Sequence, residues 1–240
     1  MSKLPLAIII PVYNEGLNIG TVLSAIDKNV STPHRIYLVY DFDEDDTLPA
    51  AQQFVEQGHP VTFVKNPQRG VVSAIKTGLK TAAGECLLVT MADMSDDYAD
   101  VDKMYRLIEG GADIVCGSRY VKGGRQVGGP FIKKNLSRAA GLSLKIIAGL
   151  PTHDATNSYK LYRRQVIEAF EIESDGGFEI GLELVVKAHI AGFRIAEIPT
   201  VWHDRAKGQS RFKIIKWSPK YLKWYLYAMK NALFTRGNSK

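Results

Sequence analysis

At 240 residues and 45% hydrophobic content the chain can bury one substantial core, and a single domain is expected. No stretch reaches the ~18 uncharged apolar residues of a spanning helix, and the N-terminal apolar run is too short for an export signal, so a cytoplasmic protein is expected. The formal charge of +6 divides unevenly, 9 Lys and Arg against 16 Asp and Glu in residues 1–118 but 22 against 9 in residues 119–240, so the first half suits a metal site and the second suits phosphate, an anionic membrane surface or nucleic acid.

Residues 6–10 form an unbroken apolar, mostly β-branched run, broken at Pro11 and Asn14 and followed by a helical face of Ile19, Val22, Leu23 and Ile26. The same rhythm repeats: strand 35–40 and helix 48–57, then strand 61–64 and helix 71–82. A short buried strand follows, Leu87, Leu88 and Val89 with Thr90 and Met91, then a helix ending at Glu109 with Val101, Met104, Tyr105 and Ile108 inward, and a strand over 114–117. Strands that are apolar throughout and alternate with helices require a mainly parallel sheet with helices on both faces, a Rossmann-like half. Cys86 and Cys116 lie in these runs without metal-ligand spacing and read as buried thiols of a reducing compartment.

After Ser118 comes a glycine-rich, non-acidic segment, VKGGRQVGGP, which reads as a loop that can move, and an amphipathic stretch over 131–148. A strand over 158–162, a helix over 178–189 and one or two strands over 193–202 interrupted at Pro199 follow. A last helix over 214–234 crowds Trp217, Tyr221, Trp224, Tyr225 and Tyr227 among Lys216, Lys220 and Lys223; core packing and membrane contact are both consistent with it.

Three of the first four strands end in polar residues. The first runs into Pro11-Val12-Tyr13-Asn14-Glu15, where an aromatic can stack on a base and a carboxylate can accept hydrogen bonds from a ribose or base edge. The second ends in Asp41-Phe42-Asp43-Glu44-Asp45-Asp46-Thr47, which is either a ligand edge or a solvated loop with Asp46 or Thr47 as helix cap. The fourth ends in Asp93, Ser95, Asp96 and Asp97, again either a grip on a divalent cation and its diphosphate or a cap for the next helix. In open α/β sheets ligands bind at the carboxyl edge, and these three loops share it.

PVYNE, the acidic loop, residues 66–70, the MAD of 91–93, GSRYVKGG, DATNSYKLYRR and DRAKGQS, in this order over about residues 6–212, resemble glycosyltransferase family 2, and within it the polyprenyl-phosphate (dolichyl-phosphate) hexosyltransferases. The resemblance implies a GT-A fold in one domain: a nucleotide-sugar-binding half over 1–118, an acceptor-binding half over 119–212 and a basic aromatic helix and tail over 213–240. It implies a nucleotide-diphosphate sugar donor, Mg²⁺ or Mn²⁺, and transfer with inversion at the anomeric carbon. Carried over, Pro11, Tyr13 and Glu15 hold the nucleotide, Asp41 lies near the base or ribose, Asp93 binds the metal, and Ser95 stands where the family usually has glutamine. Arg119, Lys133, Ser137, Arg205 and Lys207 meet the acceptor phosphate, and Asp93, Arg119 and Arg205 carry catalysis. Tyr40 replaces the first of two aspartates the family has at that strand end. Met91 replaces the first acid of its Asp-X-Asp and cannot ligate a hard cation, so the ion relies on Asp93, diphosphate oxygens and water.

A hydroxyl acceptor needs a base, whereas a phosphate monoester with second pKa ≈ 6 is already a dianion near pH 7 and needs cations instead. The basic second half favours a phosphate acceptor, and the resemblance implies that it is a polyprenyl phosphate, with the protein peripheral on the cytoplasmic membrane face. Two alternatives stand: transfer to a saccharide hydroxyl with Asp154 or Glu183 as base, or a nucleotide-sugar-binding protein without catalysis, motivated by Tyr40 and Met91. Asp154 also reads as a brace for the TNSYK turn, and Glu183 as an i,i+4 partner of Lys187. His153, His189 and His203 receive no role, and nucleic-acid binding lacks a recognised module.

Overall fold

The computed structural model describes residues 5–204 and 214–237. The first half alternates strictly: β1 (Leu6–Pro11), α1 (Gly16–Asn29), β2 (His34–Tyr40), α2 (Thr47–Glu56), β3 (Val61–Lys65), α3 (Val71–Thr81), β4 (Cys86–Val89), α4 (Val101–Glu109) and β5 (Ile114–Ser118). The second half adds β6 (Arg125–Val127), α5 (Phe131–Ala148), β7 (Lys160–Arg163), α6 (Arg164–Glu168), α7 (Ile180–Ile190), β8 (Ile195–Pro199), β9 (Val201–His203) and α8 (Ile214–Gly237).

Seven strands make the main sheet in the order β3-β2-β1-β4-β7-β5-β8, and only β7 runs antiparallel to its neighbours. β1 lies between β2 and β4, where the strand order reverses, so the carboxyl ends of these three strands open the crevice in which such sheets bind ligands. Because β7 is reversed, its amino end, with the DATNSYK segment leading into it, arrives at that same edge.

Ile8 and Ile10 face one side of the sheet with Ile19, Val22, Leu23 and Ile26 of α1 and Val101, Met104 and Ile108 of α4. Ala7 and Ile9 face the other, with Ala74, Ile75 and Leu79 of α3, most of α7, and Trp224 and Ala228 of α8. Each fully buried aliphatic side chain contributes roughly 1.5–3 kcal/mol, and this two-sided burial is why β1 carries no alternation.

Several elements depart from the sequence reading. β4 stops at Val89, though the Thr90 N–H still donates to Ile9 O at 3.1 Å. α7 begins at Ile180 rather than 178, because Glu179 accepts the N–H groups of Gly176 and Gly177 at 2.7 and 2.6 Å and holds the preceding chain in a turn. The glycine-rich segment, expected as a loop, supplies β6, which pairs in parallel with β9. α5 spans the expected residues, and it lies close against the chain before β7: a Cβ on Gly141 would fall 2.1 Å from the His153 carbonyl oxygen.

Candidate active site

The nucleotide-side loops are tied to one another rather than solvated. Asp45, 1% exposed, accepts the Asn14 N–H at 3.1 Å on each carboxylate oxygen and the Thr47 N–H at 2.9 Å. Asp46 accepts the Gly16 N–H at 2.8 Å, and the Thr47 hydroxyl accepts that of Glu15 at 2.9 Å. Asp46 and Thr47, expected as caps of their own helix, instead satisfy N–H groups at the start of α1, some thirty positions away, and Asp46 makes no side-chain cap bond to α2. This holds the loop that follows Pro11. Glu15 itself accepts the Asn18 side-chain amide at 2.7 Å. Tyr13 meets the Phe42 ring edge-on at 5.3 Å, and the Arg69 guanidinium lies 5.7 Å from the same ring, which sets two rings and a cation over the carboxyl edge of β1 and β2.

Asp41 accepts the Asn66 amide at 2.7 Å and the Gly70 N–H at 2.9 Å. Gly70 has φ +115°, open to glycine alone at no strain, and this aims its N–H at the carboxylate. Buried Asn66 in turn accepts the Ser73 and Thr77 hydroxyls of α3 at 2.9 and 3.0 Å, so Asp41 is oriented through α3.

Asp93 lies half-buried beyond β4, with one oxygen accepting the Ser95 N–H at 3.1 Å. Its loop is pinned on three sides: Tyr98 OH donates to Met91 O at 3.1 Å, Tyr159 OH to Asp97 O at 3.0 Å, and the His203 N–H of β9 to Ser95 O at 2.9 Å. Among the described residues no group of three or more His, Cys, Asp or Glu side chains is arranged to hold a metal ion. The donor set fits a hard cation that keeps most of its waters and is gripped by Asp93 together with a ligand's phosphate oxygens, and it does not fit a closed protein cage.

Asp96, three residues on, is 6% exposed and accepts the Thr90 hydroxyl at 2.8 Å and the Met91 N–H at 3.3 Å. Burial, with the Asp93 charge adding to it and the Thr90 hydrogen bond opposing it, pushes its carboxyl up to about 7. A folded-state pKa above the unfolded one means that the native protein holds the extra proton, so stability falls as pH rises from about 4 to about 7. Asp96→Asn removes that cost. Urea unfolding in chelator at pH 8 should show the variant more stable than wild type by roughly 2–4 kcal/mol, with the gap narrowing at pH 5. A gap that does not change with pH would refute this.

On the acceptor side, Arg119 is spent on Asp154. Its Nε and one Nη donate to the two Asp154 oxygens at 2.7 and 2.8 Å, its backbone N–H donates to the same carboxylate at 3.1 Å, and the Nη also reaches Ser137 Oγ at 3.1 Å. The two side chains are 9% and 0% exposed. Burial alone would raise the Asp154 pKa, but the Arg119 charge and hydrogen bonds more than offset it and hold the carboxyl below its ordinary value. Asp154 is thus a buried counter-ion, braced by its own N–H to Thr152 Oγ1 at 3.1 Å. Ser137 Oγ also shares a 2.6 Å hydrogen bond with the Thr156 hydroxyl. Lys133, one turn earlier on α5, has its pKa lowered by burial and by Arg119, with Asp204 and Asp93 acting the other way. Its ammonium group therefore lies within electrostatic range of Arg119, Asp204 and Asp93. Arg205 and Lys207 lie outside the described residues.

Glu183 is fully buried and accepts the N–H groups of Glu173 and Ser174 at 2.7 and 2.8 Å as well as Lys187 Nζ at 2.8 Å, which fixes the loop before α7. The i,i+4 pair with Lys187 is present, but it is not a surface one. Two further groups escaped the sequence reading. Lys160, 0% exposed in β7, donates to the carbonyls of Ala155 and Asn157 and so holds the TNSYK turn from beneath. His153 is held by Glu197 of β8, ring to carboxylate at 2.7 Å and backbone N–H at 2.6 Å. The motif letters hint at Lys160, whereas nothing near His153 in sequence points to Glu197.

α8 docks on α5 and α7. Trp224, 2% exposed, sits under Lys187 and Lys223, whose ammonium groups lie 4.9 and 4.5 Å from its ring. Lys223 pairs with Glu173 at 2.9 Å and Lys220 with Asp175 at 2.6 Å. Of the aromatic and basic residues that suggested membrane contact, Trp224, Lys220 and Lys223 thus have partners within the protein and Tyr227 is exposed, while the side chains of Lys216 and Trp217 lie outside those described. No helix among the described residues is long and apolar enough to cross a membrane.

A family model described as Glycosyl transferase family 2 matches residues 7–170. A dolichol-phosphate mannosyltransferase of Pyrococcus furiosus is 31% identical over 212 residues, covering 86% of this chain and 59% of its own length, so the chain spans less than two thirds of that relative. A polyprenol monophosphomannose synthase of Mycolicibacterium smegmatis is 27% identical, over 88% of this chain and 85% of its own. The fold matches glucosyl-3-phosphoglycerate synthase of Mycobacterium tuberculosis, solved with Mn²⁺, UDP and glucosyl-3-phosphoglycerate, at a TM-score of 0.71 and 15% identity over 95% of this chain and 80% of that one. The same enzyme has been solved with Mg²⁺ and UDP.

Proposed function

The chain belongs to glycosyl transferase family 2, and from that premise we propose that it transfers a hexose, with inversion at the anomeric carbon, from a nucleotide-diphosphate sugar to a polyprenyl phosphate. The observation that carries the choice of acceptor is the state of the two acids a hydroxyl acceptor would use. Asp154 is closed on Arg119, and Glu183 on two backbone N–H groups and a lysine. Neither is placed to take a proton from an incoming hydroxyl. A phosphate needs no such base, and the names of the two sequence relatives point to the same acceptor class.

In this reading Tyr13 and Glu15, with Pro11 setting the exit of β1, and Asp41 hold the nucleoside. Asp93 would hold a divalent cation, Mg²⁺ or Mn²⁺, which would supply positive charge for the departing nucleotide diphosphate. Lys133 and Ser137 of α5, with Arg205 and Lys207, receive the acceptor phosphate and aim one of its oxygens at the anomeric carbon. Arg119, gripped by Asp154, sets Ser137 from behind and lends its charge to the same pocket. A membrane-held acceptor makes the protein peripheral, on the cytoplasmic face.

The test is kinetic. Purified protein supplied with GDP- and UDP-hexoses, Mn²⁺ and a short prenyl phosphate should form glycosyl phosphoprenol and should not glycosylate free sugars. Arg205→Ala should raise KM for the acceptor or lower kcat by about tenfold to a hundredfold while leaving donor affinity unchanged. Arg205→Lys should be impaired less, because it keeps the charge and loses the two-pronged grip. Transfer to a saccharide hydroxyl, or donor binding without turnover for every acceptor, would overturn the proposal.

A further inference from the structure

Thr156 stands in a turn whose other members are fixed. Asp154 and Asn157 are buried, and the Asn157 side-chain amide donates to Gly117 O at 2.9 Å. Lys160 Nζ donates to the carbonyls of Ala155 and Asn157, the two residues that flank Thr156, so its backbone is held before and after. Thr156 itself is half-buried, where the chain enters β7 at the carboxyl edge of the parallel strands. Its hydroxyl lies 2.6 Å from Ser137 Oγ of α5 and 3.4 Å from Asp154 Oδ1.

A hydroxyl has one proton to give and two lone pairs to fill. At Ser137 one lone pair is taken by the Arg119 Nη at 3.1 Å, and the direction of that bond is fixed because a guanidinium only donates. The contact with Thr156 carries a single proton, which belongs to one hydroxyl or the other. Were Ser137 the donor, the Thr156 proton would be left to Asp154 Oδ1 at 3.4 Å, too long for a strong bond, on an oxygen that already accepts Arg119 Nη at 2.8 Å. With Thr156 as donor the short contact is used, Ser137 Oγ accepts twice, and its own proton turns away from both partners. The Tyr120 phenol is near enough to feel the Ser137 hydroxyl, but it gives its own proton to Lys134 O at 3.3 Å and is only a resting acceptor. An anionic phosphate oxygen accepts more strongly than a phenol oxygen.

We infer that Thr156 is a positioning residue for the acceptor phosphate and acts through Ser137: by donating to Ser137 Oγ it reserves the Ser137 proton for a phosphate oxygen. The need for it follows from Lys133. An ammonium is a point charge that holds a phosphate close without fixing its rotation, whereas a hydroxyl with one permitted direction fixes it. The inference rests on the phosphate-acceptor reading of this site.

A double-mutant cycle tests it, built from Thr156→Val, which keeps the shape and removes the hydroxyl, and Ser137→Ala, with Thr156→Ser to return the hydroxyl. For each protein kcat/KM is measured with a short, water-soluble prenyl phosphate at saturating donor, and calorimetry gives the affinity for that phosphate alone and for the nucleotide sugar alone. Thr156→Val should lose about tenfold in kcat/KM and in phosphate affinity, and Thr156→Ser should stay within about threefold of wild type. In the Ser137→Ala background Thr156→Val should cost no more than about twofold further, because the proton it steers is gone, whereas a merely structural role would add its full cost there. Nucleotide-sugar affinity should be unchanged throughout. Unaltered acceptor kinetics in Thr156→Val would overturn the inference, and so would losses that add in the double variant, or a serine variant as impaired as the valine one. Those results leave the lipid-phosphate reading intact wherever wild type still glycosylates the prenyl phosphate. Wild type that binds the prenyl phosphate without glycosylating it, with binding that follows the same cycle, supports the role of Thr156 and removes the acceptor reading instead. Wild type that neither binds nor glycosylates it overturns both.

Discussion

Replacing Asp93 by asparagine is expected to lower turnover by about a hundredfold to a thousandfold and to remove the dependence of donor binding on a divalent cation. The fold should persist. Asp93 is only half-buried, and an asparagine oxygen can still accept the Ser95 N–H, so the loop after β4 keeps its shape. The effect is large because the neighbouring positions of the same loop are otherwise engaged: Met91 is apolar, Asp96 is turned to Thr90 and the Met91 N–H, and Asp97 accepts the Ala99 N–H. Calorimetric titration of a nucleotide sugar with Mn²⁺ and with excess chelator separates binding from chemistry. Full activity in the variant, or in wild type under chelator, would sink the metal role.

The second large effect is structural before it is catalytic. Asp154→Ala leaves Arg119 buried with its fork unpaired, and removing one partner from such a pair costs roughly 3–5 kcal/mol. Urea unfolding near pH 7 should show that loss, with activity falling alongside because Ser137 is positioned through Arg119. The pH dependence has a definite sign. The Asp154 pKa is lower in the folded protein than in the unfolded chain, so its contribution is complete above the unfolded value near 4 and is lost as pH falls through the folded value. A variant of unchanged stability that has lost only turnover would make Asp154 a catalytic base and revive the hydroxyl-acceptor alternative.

The parallel part of the sheet was legible because β1 to β5 are largely apolar runs and the first four are each followed by a helix with a clear inner side. β7 was harder to place. Its four residues include a buried lysine and an arginine, and nothing in KLYR signals that the strand runs backwards between two strands far apart in sequence. β6 was hidden by its glycines, and α6 by its five-residue length. At the site, the residue types at each strand end could be read, but their partners could not. Asp45 and Asp46 read from sequence as part of a ligand edge or of a solvated loop, whereas they accept the N–H groups of Asn14 and Gly16. Asp154 and Glu183 looked like candidate bases because sequence shows an acid without showing what already holds it. Aromatic and basic letters drew attention to α8, whereas an exposed apolar row lies on α5. Trp224 is buried and Lys220 and Lys223 make surface pairs with Asp175 and Glu173, whereas Ile132, Leu136 and Ile146 stay exposed.

The position of β7 also bears on how the chain is made. β4 and β5 are neighbours in sequence but not in the sheet, and the edges they turn toward each other both pair with residues 160–163. When the first 118 residues have left the ribosome, those edges still lack their hydrogen-bonding partner, and the gap is as wide as one strand. It closes only after some forty-five more residues have been added, including the whole of α5. Until then the nascent chain carries two apolar strands with open edges, the kind of surface that recruits chaperones or wrong partners. Filling the gap joins the acidic and basic halves in one step, so the crevice and its counter-charges come into being together.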